Sequence, residues 1–495
     1  MAWQPSGDAK GRRPIIECRR FEIRLRRTER SSTPQLPETG VKKQILLFLL
    51  FVCLSPAPAT AHTLLSELLL KALLSDRILA PPTGPFSSHE AHFTPILRPG
   101  EVAPGFEVNQ LEIPLAINSI IAAQLSSVPL GTSSGGFAYT FDPALGTFSR
   151  QSSTFGSAFA DRALTAGKGR WNAGFNFQRS TYDTLEGRSL QNGDVRVYLV
   201  HQDCCGSENQ PGVPPEPFFE GDLVGNTLSM KLTSSTFTTF VNYGVTDRLD
   251  VGMVVPFVTV SMELGVRSRI IRLATGTNSG IHSFPGGVDE VTTSESARAQ
   301  GIGDVLLRGK FRFYDAAAGG LAAGLDVRLP TGDSAQLLGS GGLQSKVSLI
   351  GSMAVGGFSP HINLAYTFSR GTDSSPLSVT PELPDEIGYA VGFDTAVTER
   401  LTFSADVLGR TLRGLGRLVP VQRQFPFTRQ DGTFGIQSFE EFTRRPGDLT
   451  LTTGAAGVRY NFRGNLLFSA QVLVPMTRSG LRDTVTPVIG VDYSF

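Results

Sequence analysis

The dominant regularity along the chain is an alternation of apolar and polar positions with period two, broken into segments of about ten residues. Trp171, Ala173, Phe175 and Phe177 alternate with Asn172, Gly174, Asn176 and Gln178. Leu249, Val251, Met253, Val255 and Phe257 share one face of another run until Thr259 interrupts it. Val305, Leu307, Phe311 and Phe313 stand against Asp304, Arg308, Lys310 and Arg312, and Leu321, Ala323, Leu325, Val327 and Leu329 stand against Asp326 and Arg328. In the final run Val485, Pro487, Ile489, Val491, Tyr493 and Phe495 share one face. A period of two places successive side chains on opposite faces of a strand, so each face meets a different solvent.

From residue 170 onward the pattern predicts a strand at 171–178, a short one at 195–199, and hairpins of 226–243 with 249–263 and 303–314 with 320–330. Further hairpins pair 344–356 with 360–369, 387–397 with 401–412, and 448–461 with 465–475, and 485–495 comes last. The connections alternate in length. Short ones fall at 245–248, 315–319, 357–359, 398–400 and 463–464, and long ones near 202–225, 264–302, 331–343, 370–386, 413–447 and 476–484. Barrels of the outer-membrane type have short turns on the periplasmic side and long loops outside. The predicted fold is all-β: a transmembrane antiparallel up-and-down barrel over 170–495. Thirteen segments cannot close such a barrel, whose strands are even in number. Adding Phe137–Phe141 gives about fourteen, the number expected here, and dropping 195–199 gives twelve, the alternative.

Charges that alternate with a lipid-facing row have to point inward, because Arg or Lys at the bilayer midplane costs about 2–4 kcal/mol. Asp304, Arg308, Lys310, Arg312, Asp326 and Arg328 are therefore expected to line the lumen. The chain stops on Phe495 with no tail, and an aromatic edge strand in a soluble sheet would invite edge-to-edge pairing. Barrel closure removes that edge. Tyr493 and Phe495 resemble the carboxyl-terminal sorting signal that outer-membrane barrels present to the barrel-assembly machinery.

The amino terminus reads differently. Lys42-Lys43, the apolar run Ile45–Leu54 and Ala59-Thr60-Ala61 follow the order of a signal peptide, 41–61, with cleavage between Ala61 and His62. Residues 1–40 hold nine basic and five acidic residues in no recognisable pattern and are expected to be a non-native upstream extension. Thr63–Ala80 predicts one amphipathic helix with Leu64, Leu65, Leu68, Leu69, Ala72 and Leu73 in a stripe, packed on protein or lying on the inner leaflet. Residues 62–169 are too long for a linker and too irregular for a wall. They are expected to form an N-terminal helical and irregular hatch or plug.

Composition adds bounds. Without residues 1–61 the chain keeps 34 basic and 39 acidic residues, which removes any basic footprint for a nucleic-acid partner. Beyond the amino terminus no apolar run is long enough for a membrane helix, while a mean hydropathy of -0.01 suits membrane strands. Gly131-Thr-Ser-Ser-Gly135 matches a nucleophile elbow in letters but lacks the preceding strand and following helix. Gly301 and Gly303 lack the third glycine of a dinucleotide fingerprint. No cofactor is implied. His201-Gln-Asp-Cys-Cys205 offers soft ligands, but adjacent cysteines span a tetrahedral site poorly. Cys204 and Cys205 are better read as a vicinal disulfide in an external loop. The six histidines lie mostly outside strands, no nucleophile–base arrangement can be argued, and His361 at a strand end reads as structural. No enzyme activity is expected.

Three stretches carry a resemblance: Tyr243-Gly-Val-Thr-Asp-Arg-Leu-Asp-Val-Gly252, Gly301-Ile-Gly-Asp-Val-Leu-Leu-Arg-Gly-Lys310 and Gly324-Leu-Asp-Val-Arg-Leu-Pro-Thr-Gly-Asp333. Together they resemble the outer-membrane channels labelled "MetA-pathway of phenol degradation", FadL-like in architecture, over roughly residues 130–495. The resemblance implies a Gram-negative outer-membrane location and passive uptake of a small hydrophobic ligand, of fatty-acid or aromatic type, past an amino-terminal hatch. The alternatives are a general polar-solute porin, or a structural or adhesion barrel acting through the long loops 264–302 and 413–447.

Overall fold

The computed structural model describes residues 64–74, 109–126, 131, 136, 138–142, 147–150, 152–157, 159–200, 222–273, 282–316, 318–371, 383–429, 431 and 433–495. Twelve strands close into a barrel. In chain order they are β1 (Trp171–Leu185), β2 (Leu223–Gly244), β3 (Leu249–Ile271), β4 (Leu306–Ala316), β5 (Gly319–Arg328) and β6 (Leu343–Met353). The second half comprises β7 (Phe358–Arg370), β8 (Glu386–Thr398), β9 (Leu401–Leu412), β10 (Leu449–Arg463), β11 (Leu466–Pro475) and β12 (Thr486–Ser494). Each strand pairs antiparallel with the next, and β12 pairs with β1. At the seam the amides of Trp171 and Phe495 each donate to the other's carbonyl at 2.9 Å.

The wall therefore has twelve strands, the expected alternative, and not fourteen. Residues 139–142 pair with 147–150 as a separate hairpin, and 195–200 add to β2 outside the closed circuit. Strands of four and six residues are too short to cross a bilayer, which takes about 9–11. Short connections at 245–248, 317–318, 354–357, 399–400 and 464–465 alternate with long ones at 186–222, 272–305, 329–342, 371–385, 413–448 and 476–485. All the short turns lie at the end that carries Phe495.

The outward face is apolar. Phe175, Phe237, Val251, Phe311, Leu325, Val347, Ile362 and Ile489 are among its exposed side chains. Aromatic rings gather near the short turns: Trp171 lies 4.4 Å from Tyr243 and 6.4 Å from Phe495, and Phe358 lies 5.3 Å from Phe393. An apolar band with an aromatic girdle on a closed antiparallel wall is the form a barrel takes in an outer membrane.

Two strands overrun this band. β2 and β3 are 22 and 23 residues long, enough at about 3.3 Å per residue and about 45° tilt to rise roughly 50 Å, against roughly 25–30 Å of hydrocarbon. Past Phe257 the facing of the side chains keeps its parity but its chemistry swaps. Thr259, Ser261, Glu263 and Arg267 now point outward, while Val260, Met262, Leu264 and Val266 are buried within.

That buried face is covered by two helices. α1 (Leu68–Leu74) follows a 3-10 turn at Leu65–Glu67 and packs on β3 and on the strand Glu290–Ile302. α2 (Asn109–Ser126) packs among the segments 195–200, 417–428, 434–445 and 481–483. Leu65, Leu68, Leu69, Ala72 and Leu73 are buried against protein, so the predicted stripe faces protein and lies at the long-loop end, away from the inner leaflet. The rest of the predicted helix, to Ala80, lies outside the described residues.

Candidate functional site: a lumen filled on three levels

The lowest level, near the short turns, is closed by residues 152–157 and 159–167, which lie across the lumen and bond to inward side chains of β3, β4, β6, β7, β9 and β10. The amide of Phe155 donates to Thr402 Oγ1 (3.0 Å), that of Asp161 to Asn363 Oδ1 (2.8 Å), that of Ala163 to Ser352 Oγ (3.0 Å) and that of Ala166 to Asp250 Oδ2 (3.0 Å). In the other direction Arg459 Nη1 donates to the carbonyl of Phe155 (2.8 Å) and Lys310 Nζ to that of Arg162 (3.3 Å). The Phe155 ring is fully buried against Leu467. Where the stretch joins β1, its backbone touches the wall so closely that a Cβ on Gly244 would fall 1.9 Å from the Gly167 carbonyl oxygen.

Charge reinforces these bonds. His361 stands between two carboxylates, with Nε2 2.6 Å from Asp406 and Nδ1 3.4 Å from Asp394. Arg162 reaches Asp394 at 3.9 Å, Arg459 reaches Asp492 at 3.7 Å, and the Ser157 hydroxyl donates to Asp406. All of these groups except His361 escaped notice in the sequence, although Asp250, Asp394, Asp406, Arg459 and Asp492 all occupy inward positions of otherwise apolar-alternating strands. The same parity test applied near each short turn would have found them. The arrangement holds a segment in place: Ser157 bonds the Asp406 carboxylate, and the imidazole is held between that same carboxylate and Asp394. Among the described residues no group of His, Cys, Asp and Glu could hold a metal ion.

The middle level is a cavity of about 300 Å³. Arg308, Asp326, Arg328 and Lys346 from β4–β6 line one side, and Leu408, Leu451 and Leu473 from β9–β11 line another. Asp326 is shared, 3.4 Å from Arg308 Nε and 2.7 Å from Lys346 Nζ. Phe159 of the lower stretch and Gln124 of α2 also contribute to the lining.

The top level is α2. Its contacts are mainly apolar: Ile117, Ile120 and Ile121 belong to one buried cluster with Leu185, Leu232, Met262, Leu264 and Leu481. Two polar joints add to them. Arg328 Nη1 donates to the carbonyl of Ser126, the last helical residue, and the amide of Leu481 donates to Gln124 Oε1 at 3.2 Å. A cation at a helix carboxyl terminus also meets the negative end of the helix dipole.

The six charges expected to face the lumen thus occupy different settings. Arg308, Asp326 and Arg328 line the cavity, and Lys310 joins the lower level. Arg312 pairs with Asp315 at 2.5 Å and donates to the Gly319 carbonyl at 3.3 Å, bracing the 317–318 turn. Asp304 sits in the bend before β4 and accepts the amides of Gly332 (3.0 Å) and Ser340 (2.7 Å), so it organises the 329–342 connection instead of lining the cavity. Tyr493 and Phe495 lie on the lipid face with rings 5.7 Å apart. Ala61, His62, Cys204 and Cys205 lie outside the described residues.

No family model matches the chain, and no curated protein matches it either. Among solved structures, an outer-membrane channel from Pseudomonas putida is similar at 14% identity and a TM-score of 0.39, over 68% of this chain and 97% of that one. The monoaromatic hydrocarbon channel CymD is similar at 11% identity and 0.31, over 66% and 89%. The toluene transporter TbuX of Ralstonia pickettii is similar at 16% identity and 0.28, over 74% and 98%.

Proposed function

We propose that the chain is an outer-membrane channel for passive uptake of small hydrophobic molecules, with residues 62–169 acting as its hatch. The observation that carries this reading is the inward face of β2 and β3 at the long-loop end. Leu228, Met230, Leu232, Val260, Met262 and Leu264 are buried there under α1 and α2. A water-filled pore for polar solutes has a polar interior. An apolar inner surface under helices attached mainly by apolar contacts suits a solute that leaves water on the way in. The cavity below is of a size that holds single small ligands.

Conductance in planar bilayers tests the hatch. The intact chain should pass almost no current, and deletion of 62–130 should raise the open fraction. Large, steady steps from the intact chain would point to a general porin. Silence from both forms, with barrel folding verified by heat-modifiable gel mobility, would contradict transport.

A further inference from the structure

The outward face of β1–β3 and the strand Glu290–Ile302 continues past the lipid-facing band, and its composition changes within one row. The last apolar row, in cross-strand register, is Phe177, Phe237, Phe257 and Ile302, all exposed. The next row starts with Arg179, the one after ends with Arg298, and the third holds Lys231. Between these three exposed cations lie Ser235, Thr233, Thr259 and Ser261. Two acids border the group: Glu263, which is exposed and 3.7 Å from Lys231, and Asp183, which follows Arg179 and Thr181 on the same face of β1 and accepts from the amide and hydroxyl of Thr484. Arg267 and Arg269 stand further out on the same face.

Position identifies what this face meets. It continues the lipid-contacting surface at the long-loop end, the external side of such barrels. Two residues of about 3.3 Å at about 45° tilt raise each row by about 5 Å. The cations therefore lie at about 5, 9 and 14 Å above the apolar edge. A phospholipid headgroup layer is only about 5–8 Å deep. Cations spread over a greater height, on a bed of hydroxyl side chains, fit a taller headgroup that combines phosphates with sugars. Across the barrel the situation differs: on β7 the exposed Phe368 is followed by Arg370, where the strand ends.

We propose that this face is a docking surface for a phosphorylated glycolipid of the outer leaflet. Arg179, Lys231 and Arg298 hold its phosphates, and the Ser and Thr side chains between them contact its sugars.

The test is a titration of the detergent-solubilised full chain with bisphosphorylated lipid A, followed by thermophoresis. Dephosphorylated lipid A and phosphatidylglycerol serve as comparison probes. The variant R179Q/K231Q/R298Q, at three exposed positions, should weaken binding of the bisphosphorylated form by about fivefold for each cation lost. The variant R248Q/R400Q/R463Q, which removes three exposed cations at the short-turn end, should leave it unchanged. Both comparison probes should bind more weakly than the bisphosphorylated form. Equal binding by the first variant and the parent would overturn the proposal. So would an equal loss in the second variant, or comparison probes binding as tightly as the phosphorylated glycolipid.

Discussion

The two ends of the barrel solve the same packing problem with opposite chemistry. Within the membrane the wall is apolar outside, and its short-turn end is polar inside, where 152–167 is held by hydrogen bonds and by a buried set of charges around His361 and Asp394. Beyond the membrane β2 and β3 are polar outside and apolar inside, and helices fill the space. The strands are continuous and the backbone geometry does not change. Only the outer solvent differs, lipid in one case and water in the other. The interior follows from that choice, because the lower and upper levels of the lumen, on either side of the cavity, are each filled by a segment whose chemistry matches the face left over. The seal near the short turns is therefore specific and directional, while the cover at the long-loop end is mostly non-directional and easier to slide.

The largest expected effect lies in the charged level. Asp394 is fully buried, and Arg162→Leu would leave it without its cation from the seal. Breaking one side of a buried pair costs about 3–5 kcal/mol. The expected result is protease sensitivity of 152–167 with the barrel still folded, largely repaired in the double variant Arg162→Leu/Asp394→Leu. Parent-like resistance in the single variant would mean that charge does not hold the seal.

The apolar level should respond to volume. Leu232→Ala removes a fully buried side chain facing the helices, and such truncations cost about 2–5 kcal/mol. Hydrogen exchange should show the loss in α1 and α2 while the amides of 152–167 stay protected. A loss shared equally by both levels would make them one cooperative unit and erase the contrast.

On the outer surface, Met253→Arg, midway along the apolar row Leu249–Phe257 of β3, should destabilise the barrel in bilayers by about 2–4 kcal/mol. Glu263→Arg, three outward rows beyond Phe257 on the same strand, should change stability by less than about 0.5 kcal/mol. Reversible folding titrations in urea measure both, and equal costs would mean that the apolar band extends beyond Phe257.

The smallest effect concerns the external hairpin of Arg417–Thr428 with Phe434–Arg445. Glu441 is buried, accepts the Tyr198 amide at 2.9 Å and pairs with Arg423 at 3.0 Å. Burial nonetheless pushes its carboxyl above the usual range. A group whose pKa is raised on folding favours the folded form below its unfolded pKa and loses that advantage as pH rises through the folded value. Docking of the hairpin should tighten as pH falls from neutral toward the ordinary carboxylate range, about 4.3. Protection of the Tyr198 amide, corrected for intrinsic exchange, should show this trend, and Glu441→Gln should abolish it.

These regions were not equally legible in the sequence. The wall could be read because lipid imposes an uninterrupted alternation and barrel closure imposes a rhythm of short and long connections. Every wall strand was recoverable, and the error in strand number came from 137–141 and 195–199, where alternation is present without the length to span. The inversion was also written in the chain. Thr259 looks like the end of an apolar face, yet Val260, Met262, Leu264 and Val266 continue the alternation with opposite chemistry. The lumen was harder to read. Inward charges announce only that they avoid lipid. Whether Arg308 lines a cavity, Lys310 grips a carbonyl or Arg312 braces a turn depends on what lies opposite, and that partner comes from a segment with no periodicity of its own.

On the proposed function, the lumen is expected to admit apolar solutes and to exclude polar ones. Intact Gram-negative cells producing the chain can be compared with cells lacking it, using the apolar dye phenylnaphthylamine and the polar antibiotic nitrocefin in parallel. Faster dye fluorescence with an unchanged rate of nitrocefin hydrolysis by a periplasmic β-lactamase is the predicted result. An equal acceleration of both, or no change in the dye with folded barrel present in the membrane, would contradict it.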